Sequence, residues 1–163
     1  MINVEKISSN EQNEIITLKM SMPLFMWRVI DYYRRTIDSN RLVDDGMLTV
    51  RSEMVHRCKI NTKFELKDDF YLGDGNALPV GIISEIADEL NIYAEKYNSS
   101  SDKIFKDIIV NTMVLILPMC YIMTNTITLK EANLKEIYYG MYNREGCWKE
   151  LGNKLVPYID SVF

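Results

Sequence analysis

Histidine is nearly missing from this chain of 163 residues, in which His56 is the only one. A Ser–His–Asp or Cys–His device would have to be built on it, and no nucleophile elbow or protease-like surrounding accompanies it. Cysteine is scarce as well. Cys58, Cys120 and Cys147 are odd in number and far apart, which excludes the disulfide framework of a small secreted domain. Without CxxC or HxxxH spacing they give no structural zinc site either. Gly73, Gly75 and Gly81 form neither GxGxxG after a strand nor GxxxxGK[ST], so nucleotide binding has no support. The acidic turn "DDFYLGDG", with Asp68, Asp69 and Asp74, lacks the EF-hand pattern and reads as a solvated turn. No catalytic residue, metal site or cofactor is expected.

Positive charge is in deficit. The net charge is −4, which opposes a nucleic-acid binder that relies on bulk charge. The deficit is uneven: residues 1–66 hold 10 Lys/Arg against 9 Asp/Glu, and residues 67–163 hold 9 against 14. A long apolar run is also lacking. The segment "IIVNTMVLILPMCYIM" at 108–123 falls short of the roughly 20 residues of a membrane span. Asn111, Thr112 and Pro118 interrupt it. It reads as a central buried helix, kinked at Pro118, with Leu115 in the core. The opening "MINVEKISSNEQNE" has no apolar signal-peptide segment, so a cytoplasmic location is expected.

The abundant residues are nineteen Ile, thirteen Asn, twelve Lys and ten Tyr, against four Ala. Their codons are A/T-rich, as in an A/T-rich bacterial, phage or viral genome. A hydrophobic content of 47% supports one good core and a single domain over 1–163. The expected fold is α+β, mainly α. A small N-terminal β element, with a strand near 15–22 and a hairpin near 48–66, precedes a C-terminal helical bundle. Residues 1–12 are expected to be flexible, 13–66 to form the strand, helix and hairpin part, and 79–163 the helical part.

Local patterns give this outline. In "IITLKMSM" Ile16, Leu18, Met20 and Met22 alternate with Thr17, Lys19 and Ser21, which puts the apolar set on one strand face. Ser21 and Pro23 then open a helix to about Asp38, and 39–47 reads as a loop. "LTVRSEMVHRC" at 48–58 allows a short helix, but "RCKINTKFELK" alternates Cys58, Ile60, Thr62, Phe64 and Leu66 as a strand would, which favours a small sheet there. Asn76 and Pro79 lead into a helix with the stripe Ile83, Ile86, Ala87, Leu90, Tyr93, Ala94 and Tyr97. Ser101 or Asp102 caps the next helix. Thr128 and Glu131 have capping-box spacing, before a helix that buries Leu134, Ile137, Tyr138 and Met141. A last helix carries Trp148, Leu151 and Leu155, bends near Pro157, and leads to an apolar end at Val162 and Phe163.

Two surfaces are candidates for a partner. Glu85, Asp88, Glu89 and Glu95 fall off the apolar stripe of their helix, so they face solvent and present a field of one sign. Tyr138, Tyr139, Tyr142 and Trp148 are too many for one side of one helix. Tyr138 and Trp148 fit the core, which leaves Tyr139 and Tyr142 for an interface of the kind that favours aromatic side chains.

The order strand, turn and helix, followed by "TVRSEMVHRC", resembles a ribbon-helix-helix repressor. That resemblance implies a dimer in which Thr17, Lys19 and Ser21 read bases. Residues 15–63, with 9 Lys/Arg and 5 Asp/Glu, have the sign for phosphate contact. The leading expectation is different. It is a non-enzymatic, phage- or mobile-element-type interaction protein that binds and inhibits a host protein, one with a basic nucleic-acid-binding groove that the acidic face mimics charge to fill. A homodimer is also a candidate state. The DNA-binding regulator is the alternative.

Overall fold

The alternation in "IITLKMSM" produces a strand, β2 (Ile15–Pro23), with Ile16, Leu18, Met20 and Met22 buried and Lys19 exposed. The computed structural model describes residues 2–37, 50–73 and 80–159, with the side chains of Asn13 and 31–37 left aside. It is an α+β fold, mainly α, with one three-stranded sheet among these residues. The chain divides into two compact units: Met1–Met47 with Met123–Phe163, and Leu48–Ile122.

In the first unit β1 (Asn3–Asn10) pairs antiparallel with β2, Val4 opposite Met20 and Lys6 opposite Leu18. The register shifts between Lys6 and Ser8, so Ile7 is the extra residue of a bulge. Bulges of this kind mark strands at sheet edges. A short 3-10 turn, Glu11–Asn13, joins the strands, and Glu14 follows at φ 52°. β3 (Ile122–Lys130) lies on the other side of β2 in the order β1-β2-β3. Thr17 meets Thr128 at 3.1 Å and Ser21 meets Thr124 at 2.6 Å. The partner numbers fall as the β2 numbers rise, so this pair is antiparallel too.

The apolar sheet face is covered by helices. α1 (Leu24–Ile37) packs on β2 and on α6 (Glu131–Met141), and α7 (Cys147–Leu155) packs on α6 and β1. Met26, Trp27, Ile30, Leu134, Ile137, Met141, Leu151 and Leu155 are buried with Met123, Ile127 and Leu129. Each such side chain contributes about 1.5–3 kcal/mol when fully removed from water. The Trp27 indole N–H, which cannot be buried unpaired, donates to the Met123 carbonyl at 2.9 Å. α7 begins after Gly146 at φ 64°, a conformation that favours glycine.

The second unit is helical, with α2 (Val50–Ile60), α3 (Leu66–Asp69), α4 (Val80–Ser99) and α5 (Lys103–Ile116). α4 buries Ile83, Ala87, Leu90 and Ala94 and packs on α5 and α2. α5 buries Ile109, Val110 and Met113. Asp102 caps α5 by accepting from the amides of Ile104 and Phe105 at 2.8 and 3.3 Å. The connection after α2 is held by side chains that stand in for a ladder. The Asn91 amide accepts from Phe64 N at 2.7 Å and donates to Phe64 O at 3.1 Å, and Asn98 donates to the Cys58 carbonyl at 2.9 Å.

Several expectations are corrected. The hairpin near 48–66 is replaced over 50–60 by α2, which buries Met54 and Cys58 one turn apart. The alternation from Cys58 to Leu66 spans the end of α2, an extended stretch and α3. Residues 3–10 form β1 rather than a loose end. The apolar run at 108–123 is not one kinked helix. α5 ends at Ile116, two residues before Pro118, as the restriction on residues preceding proline favours. β3 then begins at Ile122. Leu115 is 84% exposed, not in the core. Thr128 belongs to β3, and Lys130 occupies the N-cap of α6 without a side-chain cap bond, so the capping box is not formed. The loop 39–47, Asp74, Asn76, Pro79, Val162 and Phe163 lie outside the described residues.

Candidate functional site

The acidic residues are on α4. Glu85, Asp88, Glu89 and Glu95 are all exposed, opposite the buried stripe. At about 100° per residue, Ile82, Glu85, Glu89 and Ile92 fall within a sector of about 80°. Ile82 and Ile92 are 55% and 43% exposed, so the outer face of α4 is acidic with an apolar residue at each end. Among the described residues no cation pairs with any of the four carboxylates. Lys96, the only cation in α4, lies over the Tyr93 ring at 5.0 Å, and Lys106 lies over Tyr97 at 4.7 Å. Glu85 and Glu89 are a like-charged i,i+4 pair, which costs the isolated helix a few tenths of a kcal/mol. Ile82 and Ile92 were missed in the sequence, although both fall off the α4 apolar stripe.

Of the aromatic residues, Tyr138 and Tyr139 are on α6 and Tyr142 is its C-cap. Tyr139 and Tyr142 are each 58% exposed, while Tyr138 is buried. The Tyr138 ring is 5.5 Å from Tyr139, edge to face, and 5.6 Å from Tyr142. Tyr142 and Tyr138 line an open cleft of about 360 Å³ with Arg144, Lys149, Gly152 and Asn153. Beside it Trp148 packs edge to face on Phe25 at 5.8 Å, with the Arg144 guanidinium 5.2 Å from the Trp148 ring.

Thr17, Lys19 and Ser21 stand on the polar face of β2, but the ribbon geometry is not available to them. A ribbon-helix-helix dimer pairs this strand with its copy, and β2 already has β1 on one side and β3 on the other. The Thr17 and Ser21 hydroxyls are also engaged with Thr128 and Thr124. The helix read from 50–58 is present as α2, yet β2, the strand that carries the candidate base readers, has no free edge.

One buried polar cluster was not foreseen. Arg57 on α2 makes a bidentate pair with Asp69 at 2.5 and 2.9 Å, donates to the Lys63 carbonyl, and lies 4.3 Å from the Phe64 ring centre. Asp69 also accepts from Glu65 N at 2.7 Å. Tyr121, fully buried against Phe64 and Phe70, donates its hydroxyl to Glu53 at 3.1 Å. Burial raises the Tyr121 phenol well above its ordinary range, with Arg57 opposing and Glu53 and Asp69 adding to the rise. These groups largely satisfy one another, as a structural network does, although Arg57 Nε is buried without a partner. Burial likewise raises the thiols of Cys58 and Cys120. His56 is exposed on α2. Among the described residues no cluster of three or more His, Cys, Asp or Glu side chains is arranged to hold a metal ion, and no helix is long and apolar enough to cross a membrane.

Comparison of the chain with family models, curated proteins and solved structures gives no match. The functional reading therefore rests on geometry.

Proposed function

We propose that this chain is a non-enzymatic interaction protein that acts in the cytoplasm by binding a protein partner through the outer face of α4. The observation that carries this reading is the exposure of Glu85, Asp88, Glu89 and Glu95, without an ion pair among the described residues, on a face that also exposes Ile82 and Ile92. Its complement is a Lys/Arg-rich surface with apolar margins. Unpaired carboxylates raise the encounter rate with such a surface, and the isoleucines gain from being covered. Where that surface is a nucleic-acid groove, occupying it makes the protein an inhibitor by charge mimicry. The Ile-, Asn- and Lys-rich composition suits a phage or mobile-element gene acting on a host protein. Tyr139 and Tyr142 offer a second contact surface on the sheet-containing unit.

Photo-crosslinking from position 82 in the native host identifies the partner, and stopped-flow mixing then tests the face. The double variant Glu85→Lys/Glu89→Lys keeps its fold, because exposed helix positions accept Lys. Its association rate at low ionic strength falls by about tenfold or more, and the difference shrinks as salt rises. Equal rates for both proteins in low salt would overturn the reading.

A further inference from the structure

α5 has two opposite apolar faces, and only one is used. Ile109, Val110 and Met113 are buried. On the far side Ile104, Ile108 and Leu115 are 74, 56 and 84% exposed. With the exposed Asn111 they are spaced four, three and four residues apart, which is the alternating step of a coiled-coil seam. At about 100° per residue the four fall within a sector of about 60°. Water is a poor environment for three such side chains in one line.

The charge pattern names the occupant. A chain of net charge −4 generally resists its own copy, and the acidic face of α4 does so strongly. The α5 seam carries no charge. Asp107 at its edge is neutralised by Arg51 at 2.9 Å, and Arg51 also donates to the Asn111 side-chain oxygen at 3.2 Å. The flanks on the other side are Phe105 and Thr112. A basic partner gains nothing here, whereas a second copy meets no like charge. In an in-register parallel pair each Asn111 amide meets its own counterpart, and a single polar seam residue satisfied in this way sets register.

We propose that α5 is a self-association face, on which two copies of this chain pair through Ile104, Ile108, Asn111 and Leu115. The seam is about 16 Å long and gives much less than the roughly 800 Å² a side of a standard interface. The dimer is therefore weak and concentration-dependent. It stands independently of the acidic face of α4.

Sedimentation equilibrium of the full chain tests this. The wild-type weight-average mass rises from one chain mass to two across the micromolar to sub-millimolar range and levels off there. Leu115→Glu and, separately, Ile104→Lys remain monomeric throughout with an unchanged melting temperature, and Asn111→Leu dimerises at least tenfold more tightly. The proposal is overturned by a wild-type protein that stays monomeric over the whole range, by a mass that climbs past two chains, or by undiminished dimerisation of the charged variants. It is equally overturned if the charged variants melt at lower temperature as monomers, since the stripe is then covered within the chain.

Discussion

The sheet-containing unit buries Leu18, Met20, Met22, Ile127, Leu134 and Leu151, with Asn125 and Asn133 as its buried polar residues, whereas the helical unit sets a largely covered guanidinium–carboxylate pair, Arg57 with Asp69, and the buried Tyr121 phenol alongside Met54, Leu90 and Met113. The difference follows from geometry. A strand with period-two alternation presents a continuous apolar face, and helices can close over it without charged groups. The helical unit must also hold an irregular stretch, 62–65, whose backbone groups lack a ladder. Arg57, Asp69 and Asn91 supply partners to Lys63, Glu65 and Phe64 there. A core built on area degrades gradually. One that uses charges is held by a few bonds and fails when one is cut.

That contrast gives the largest expected effect. Asp69→Ala leaves the Arg57 guanidinium, on a side chain only 11% exposed, without its carboxylate, and removing one partner of a buried pair costs about 3–5 kcal/mol. Urea midpoints should fall accordingly. Replacing both residues, Arg57→Met with Asp69→Leu, should recover most of the loss, because well-packed apolar groups often match a buried ion pair. A loss below about 1 kcal/mol for the single variant would erase the distinction between the units.

A smaller effect sharpens it through pH. The folded Tyr121 phenol is raised, chiefly by burial, above the value of about 10 that it takes when unfolded. Below that value both states hold the proton and the stabilisation is complete. As pH rises above it, the unfolded chain releases a proton that the folded chain retains, so stability falls by about 1.4 kcal/mol per pH unit. Tyr121→Phe should lose about 1 kcal/mol near neutrality with the Glu53 hydrogen bond. It should also show a shallower alkaline decline, so that the two unfolding curves converge above about pH 10. Parallel curves would mean that Tyr121 is not held protonated.

The same contrast explains what the sequence made legible. β2 could be read because Ile16, Leu18, Met20 and Met22 alternate without a break and all four are buried. α4 could be read because its stripe, from Ile83 to Tyr97, persists over about four turns, and the exposure of its four acids follows from that stripe. β1 could not, because an edge strand exposed on nearly every residue has no face to alternate. β3 carries the signal in Met123, Ile127 and Leu129 between Thr124, Thr126 and Thr128. A buried Asn125 interrupts it, and the apolar end of α5 runs almost into it. α2 buries only Met54 and Cys58, too few to show helical period, while the following residues alternate by chance. The seam on α5 and the exposed Ile82 and Ile92 were hidden for the opposite reason. Apolar residues are assigned to a core by default, and only coordinates show which side of a helix is left over.

Leu115 is where that default fails most clearly, and it carries the smallest expected effect. Read as part of one buried helix over 108–123, its truncation would cost the about 2–5 kcal/mol typical of a core leucine. At 84% exposure it has little area to lose and no cavity to leave, and Ala is the better helix former. Leu115→Ala should therefore shift the urea midpoint by no more than about 0.5 kcal/mol in either direction. The measurement belongs at low protein concentration, where pairing through α5 adds nothing to stability. A loss of 2 kcal/mol or more under those conditions would show that α5 is covered on both faces, and the helical unit would then have a continuous apolar core like that of the sheet-containing unit.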